Sequence, residues 1–168
     1  MKNLEAKFRL DDLGRAHDAA ITLGYEQRAI LTQRDTFFRV NNGKLKMREE
    51  NGAAGLVYYH RDQSGALMLS NYEIVPVNDP EKTLAILSGA LGTLAIVDKV
   101  RALMTRDNVR LHLDRVATLG NFGEIEAVIA DGDDPERSRG AVDELLATLG
   151  VASTDLIAVS YFELLART

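Results

Sequence analysis

Asn41-Asn42-Gly43-Lys44-Leu45-Lys46-Met47-Arg48-Glu49-Glu50 is a turn followed by a strand with one charged and one apolar face. Asn and Gly tolerate positive φ, so residues 41–43 form a tight hairpin turn. Successive side chains of a strand point to opposite faces. Lys44, Lys46, Arg48 and Glu50 therefore share one face, and Leu45 and Met47 share the other. Neighbours on one face of a strand stand about 7 Å apart. Three cations at that spacing repel one another, and a site that needs them in this arrangement usually binds an anion. Each charge-assisted hydrogen bond to a phosphate oxygen contributes about 1.5–3 kcal/mol. The bland alternative is a solvated outer face.

The same alternation recurs outward from this strand. Asn3-Leu4-Glu5-Ala6-Lys7 and Glu124-Ile125-Glu126 align carboxylates, Lys99-Val100-Arg101 aligns cations, and Arg110-Leu111-His112-Leu113-Asp114 mixes the two. Acids and bases thus fall largely on different strands. Turned inward, unpaired ions would cost several kcal/mol each; water, a metal and a phosphate chain would remove that penalty. Glu124 and Glu126 on one face repel unless a cation lies between them. Glu5 and Asp114 would complete such a cage, whose oxygen ligands suit Mg²⁺ or Mn²⁺. The competing reading pairs these carboxylates with Arg110 and Lys7 as cross-strand ion pairs. His112 alone reads as a hydrogen-bonded structural residue. Tyr59 and Arg61 share a face, as do Asn71 and Glu73.

Turn and cap signals set the predicted elements. A strand over residues 2–10 leads into a helix that Asp11 or Asp12 caps and Gly24 ends. Strands follow over 28–40 (with a bend), 44–50, 56–61 and on to about 75. Pro76 to Pro80 breaks the pattern before a helix over 81–91, then strands over 94–104, 109–116 and 122–129. A helix opens at 131–135 and runs to 149, and Ser153 or Thr154 caps a last helix through Leu165. The apolar face of that last helix, with Leu156, Ile157, Val159, Tyr161, Phe162 and Leu165, reads as core packing. Strands joined by short turns pair antiparallel. The predicted fold is α+β: one domain over 1–168, an eight-stranded antiparallel β-barrel with helices packed outside.

Composition narrows the function. The 168 residues carry a net charge of −5 and a pI of about 5.2, whereas a nucleic-acid binder is usually basic. No nucleic-acid polymer is therefore expected as a partner. There is no cysteine, which removes disulfides and thiol chemistry and fits a cytoplasmic protein. No apolar run reaches the length of a membrane span, and the N-terminus opens on a strand pattern rather than a signal peptide. P-loop, dinucleotide, zincin and serine-hydrolase motifs are all missing. A barrel for hydrophobic ligands would need an apolar lumen, against the charged alternation.

Taken together, Asn3 to Lys7, the basic strand Gly43 to Glu49, Asn108 to Asp114, Gly123 to Glu126 and the closing Ser160 to Leu165 resemble the CYTH family. These are the triphosphate tunnel metalloenzymes, and the resemblance is to the class IV adenylate cyclase-like branch. It implies an eight-stranded tunnel that holds a triphosphate with Mg²⁺ or Mn²⁺. By the same resemblance Glu5, Asp114, Glu124 and Glu126 would hold metal. Lys7, Lys44, Lys46, Arg48, Arg61, Lys99, Arg101 and Arg110 would hold phosphates, with Glu73 a further candidate. Glu5, Glu126 and Lys7 would act in catalysis. Asn3 stands where the family usually has Glu; an amide oxygen can coordinate a hard cation but lacks the charge. The implied reaction converts ATP to cyclic AMP and pyrophosphate. Hydrolysis of tripolyphosphate, thiamine triphosphate or a nucleotide is the alternative within the fold, and non-catalytic binding the alternative outside it. A homodimer is compatible with the resemblance, and no membrane partner is expected.

Overall fold

Alternating side chains sort the strands into two faces, and closing the sheet converts those faces into an inside and an outside. The computed structural model describes residues 2–62, 68–130 and 135–166, with side chains over 4–60, 72–130 and 136–166. Its elements are β1 (Lys2–Arg9), α1 (Leu13–Thr22), β2 (Glu26–Phe38), β3 (Lys44–Glu50), β4 (Ala53–Asp62) and β5 (Met68–Pro76). They continue with α2 (Pro80–Leu91), β6 (Thr93–Arg106), β7 (Val109–Val116), β8 (Gly120–Ile129), α3 (Pro135–Thr148) and α4 (Tyr161–Leu165). The strands form a closed barrel in the order β1-β5-β4-β3-β2-β6-β7-β8. Every pairing is antiparallel, and β8 returns to β1 along Lys2–Arg9. The bend expected in the second strand is present as register shifts between Gln27 and Ala29 and between Phe37 and Phe38.

The helices are held by the outer face. Ala6 and Phe8 of β1, Leu111 and Leu113 of β7, and Ile125 and Ala127 of β8 pack against Ala16 and Ala20 of α1 and Val142 and Leu145 of α3. Burying one Leu, Ile, Val or Phe side chain contributes roughly 1.5–3 kcal/mol. This layer, rather than the ionic lumen, anchors both helices to one side of the barrel. Gly123 makes room for it: a Cβ there would lie 2.2 Å from the Phe8 ring. Asp12, one of the two expected caps, accepts a hydrogen bond from the Arg15 amide at 3.0 Å. Among the described residues, no helix is long and apolar enough to cross a membrane.

The C-terminus departs from the predicted single helix. Ser153–Asp155 forms one 3₁₀ turn, Leu156 then bridges to Phe8, and the Ile157 amide donates to the Lys7 carbonyl at 2.7 Å. Extended backbone cannot make those contacts and also continue a helix. A new start follows, in which Glu163 accepts from both the Ser160 amide and hydroxyl to cap the short α4. Core packing does hold for this segment: Tyr161, Phe162 and Leu165 join Phe37, Tyr59, Val97 and Phe122 in a second apolar cluster. This cluster stoppers one end of the barrel.

Candidate functional site

The lumen is a cavity of about 500 Å³, within the range of small-ligand sites. Strand alternation delivers its polar lining: Glu5 and Lys7 from β1, Gln33 and Asp35 from β2, Lys46, Arg48 and Glu50 from β3, and Lys99 and Arg101 from β6. Arg110 and His112 of β7, Glu124 and Glu126 of β8, and Tyr161 of α4 complete it. The stoppered end lies by Tyr161. Exposed Arg110, Ala53 and Pro76 mark the mouth, where Leu31, Ile74 and Leu103 add apolar surface.

Buried carboxylates hold the cations in place. Asp35 accepts two hydrogen bonds of 2.7 Å from Arg48 and one of 2.8 Å from Lys46. Asp114, fully buried, accepts from Arg101 at 2.7 and 2.6 Å and from the Tyr161 hydroxyl at 2.8 Å. Glu124 takes Arg101 at 2.7 Å and Lys7 at 3.2 Å. Burial pushes the Asp114 and Glu124 carboxyls up, but the cations outweigh it. Arg101 and Lys99 hold Asp114 well below the usual carboxylate range, and Lys7 leads the same effect on Glu124.

Lys99 is treated differently. Its ammonium stays 3.7 Å from Asp114, beyond hydrogen-bond reach, although the residue is only 5 % exposed. Burial, and then the Arg101 charge, push its pKa down to about 7. Burial and Arg48 lower Lys46 to about 8. Both ammonium groups would be favoured by an anion in the cavity.

The acidic side of the lumen fits a metal. The ligating atoms of His112, Glu124 and Glu126 all lie within 4.8 Å of one another, and Glu5 faces Glu126 across the β1–β8 ladder. Two carboxylates and an imidazole form a donor set suited to a divalent ion.

The structure brings Glu5, Lys7, Lys46, Arg48, Lys99, Arg101, Arg110, Glu124 and Glu126 to one cavity. Asp114 stands behind it, with both carboxylate oxygens engaged by Arg101 and Tyr161, an arrangement suited to a counter-ion rather than an open ligand. Lys44 turns to the stopper, donating to Glu163 at 2.9 Å. Glu73 is exposed and alternates with the cavity-lining Tyr72 and Ile74, so it faces outward. The side chains of Arg61 and Asn3 lie outside those described. Sequence reasoning missed Asp35, whose strand has polar residues on both faces (Thr32, Arg34 and Thr36 opposite Gln33 and Asp35), so its sidedness was hidden. Tyr161 was read as core packing, and it is both core and lumen.

The CYTH domain family profile matches residues 1–161. A candidate adenylate cyclase of Methanocaldococcus jannaschii is 26% identical over 174 residues, covering 98% of each chain. The structure of a Pyrococcus horikoshii protein superposes with a TM-score of 0.83 at 23% identity, covering 96% of this chain and 98% of that one. A candidate adenylyl cyclase from Hippeastrum, described as having a dominant triphosphatase activity, superposes with a TM-score of 0.70 at 15% identity. That match covers 99% of this chain and 95% of the other.

Proposed function

This chain belongs to the CYTH family, and we propose that it is a metal-dependent enzyme that cleaves a nucleoside triphosphate, ATP foremost, inside the barrel. The observation that carries the reading is Lys99: a buried ammonium beside Arg101, with no counter-ion at hydrogen-bond distance among the described residues. With Lys46, Arg48 and Lys7 it lines a cavity stoppered at one end. A chain of phosphates supplies the missing negative charge at several points at once. The apolar mouth, with Leu31, Ile74 and Leu103, suits the base of a nucleotide better than a bare inorganic anion.

In the cyclase reaction the ribose 3′-oxygen bonds to the α-phosphorus, the bond from that phosphorus to the β-bridging oxygen breaks, and pyrophosphate leaves. Glu126 faces the cavity and would take the hydroxyl proton, with Glu5 beside it across the ladder. Lys7, Lys46, Lys99, Arg48 and Arg101 would hold the charge that grows on the departing pyrophosphate. His112, Glu124, Glu126 and Glu5 would hold Mg²⁺ or Mn²⁺, which when bound polarises the phosphoryl oxygen and acidifies the hydroxyl. Hydrolysis of the same or another triphosphate is the second reading. It draws on the same groups, because Glu126 lines the cavity and can serve water as well as a ribose hydroxyl. Incubating the full chain with ATP or tripolyphosphate and Mg²⁺ or Mn²⁺ tests both. Cyclic AMP with pyrophosphate supports cyclisation, orthophosphate supports hydrolysis, and anion binding without any product would overturn the enzymatic reading.

A further inference from the structure

One ring nitrogen of His112 lacks the hydrogen bond that a purely structural role would give it. It is 5 % exposed, and its Nδ1 atom is buried with no hydrogen-bond partner. A buried polar atom left unsatisfied is destabilising, and native structures rarely leave one without a partner. The ladder fixes where the ring sits, because His112 pairs with Leu103 on one side and Glu124 on the other. Nδ1 points at two carboxylate oxygens, Oε2 of Glu124 and Oε1 of Glu126, and lies 3.7 Å from each. That is too far for a shared proton. It is also less than twice a metal–ligand bond of roughly 2.1 Å, so a single ion can span either pair. Glu124 already accepts from Arg101 and forms an ion pair with Lys7 at 3.2 Å, but a carboxylate offers about four lone-pair sites, which leaves room for an ion.

We propose that His112 Nδ1 is a direct ligand in a mixed nitrogen–oxygen site with Glu124 and Glu126, and that the site therefore takes Mn²⁺ ahead of Mg²⁺. The inference rests on the metal site put forward under the proposed function and specifies its ligand and its ion. Mg²⁺ demands near-octahedral oxygen coordination and gives up its waters reluctantly. Imidazole suits first-row transition ions. A nitrogen donor held rigidly by two ladders thus discriminates by chemistry rather than by size.

The test uses the full chain with Mn²⁺ alone, so it does not depend on turnover. Pulsed electron paramagnetic resonance of bound Mn²⁺ should show nitrogen modulation from a directly coordinated imidazole. The chain has three histidines, so the signal should vanish in His112→Gln and persist in His17→Gln and His60→Gln. Displacing Mn²⁺ with Mg²⁺ should need an excess of roughly tenfold or more in the native chain, and distinctly less in His112→Gln. Bound Mn²⁺ without nitrogen modulation in the native chain overturns the proposal, as does failure of Mn²⁺ to bind. So does an unchanged ion preference in a folded His112→Gln. Should that variant not fold, the native spectrum decides alone. Nitrogen coordination without turnover of any triphosphate would sink the proposed function and leave this inference standing; turnover without nitrogen coordination would do the reverse.

Discussion

Asp35 and Arg48 stand opposite each other across the β2–β3 ladder, joined by two hydrogen bonds of 2.7 Å, and Lys46 approaches the same carboxylate at 2.8 Å. One buried carboxylate therefore fixes two of the cations assigned to phosphate. Burial pushes the Asp35 carboxyl up, but Lys46, Arg48 and Lys99 outweigh it and keep the group ionised far below the usual range. The lumen is held together by pairs like this one before any ligand enters.

Asp35→Asn keeps the shape and removes the charge. Breaking a buried pair from one side costs about 3–5 kcal/mol, because the partners stay buried and uncompensated. The variant should therefore melt well below the native chain. Tripolyphosphate should restore more stability to the variant than to the native protein, since it brings anions to Lys46 and Arg48. Equal ligand-induced shifts in melting temperature would show that the phosphates do not reach these residues.

Much of the barrel was legible because the signal is local. Alternation in β1, β3, β7 and β8 fixes two faces, and in β1, β7 and β8 the apolar face is the one that packs on helices. What stayed hidden depends on contacts distant in sequence. Asp35 has polar neighbours on both faces of β2, and only the register with Arg48 shows which face is inside. Lys44 shares the alternation of Lys46 and Arg48, yet it lies level with the stopper, and Glu163, 119 residues later, captures it. Asp114 looked like a ligand because its charge is visible in sequence; Arg101 and Tyr161, which occupy it, lie 13 and 47 residues away.

Lys99 should make triphosphate binding depend on pH. Its folded pKa, pushed down to about 7, lies below the ordinary lysine value of 10.5. Between those values the unfolded chain holds more protons than the folded one, so the Lys99 contribution to stability rises with pH across that window. A bound triphosphate favours the charged ammonium, so binding in the same window takes up a proton and weakens as pH climbs above 7. Calorimetry at pH 8, in two buffers of different ionisation enthalpy, should show buffer-dependent heats for the native chain. The dependence should shrink in Lys99→Arg, which stays charged, leaving the smaller share from Lys46. An undiminished dependence would exclude Lys99 as the titrating group.

Tyr161→Phe isolates the stopper's polar contact from its packing. The ring lies under Lys7 at 4.5 Å and Lys99 at 5.1 Å and survives the change, while the 2.8 Å hydrogen bond to Asp114 is lost. Hydrogen bonds to charged groups contribute about 1.5–3 kcal/mol. Urea unfolding should register a loss of that order with an unchanged m-value. A change smaller than about 0.5 kcal/mol, the size of an ordinary surface substitution, would mean that Arg101 alone satisfies Asp114.

Lys46→Ala should separate a polyphosphate site from a general anion site. Lys46 lies beside Arg48 and near the ring of Phe37, on the wall opposite the acidic cluster. A chain of phosphates can reach it while also meeting Lys99 and Arg101; a single phosphate can satisfy only part of that set. Affinity for tripolyphosphate should fall by more than affinity for orthophosphate, each measured by calorimetry. Equal losses would mean that the cations do not act together on one extended anion.

Glu126→Gln tests the chemistry with little risk to the fold. The side chain is half-buried, faces the cavity, and lies 3.7 Å from His112 Nδ1, with no lysine or arginine among the described residues within ion-pair distance. No buried cation depends on it, in contrast to Asp35, Asp114 or Glu124, so the melting temperature should hardly move. An amide neither takes a proton from a ribose hydroxyl or water nor gives a metal the charged oxygen that Glu126 would supply, and loss of general-base catalysis alone is typically worth 10²–10⁴-fold. Metal-dependent turnover should drop by roughly that factor, while binding of tripolyphosphate in the absence of metal stays near native. A turnover rate unchanged from native would remove Glu126 from the reaction, and Glu5, its neighbour across the ladder, would be the carboxylate to examine next.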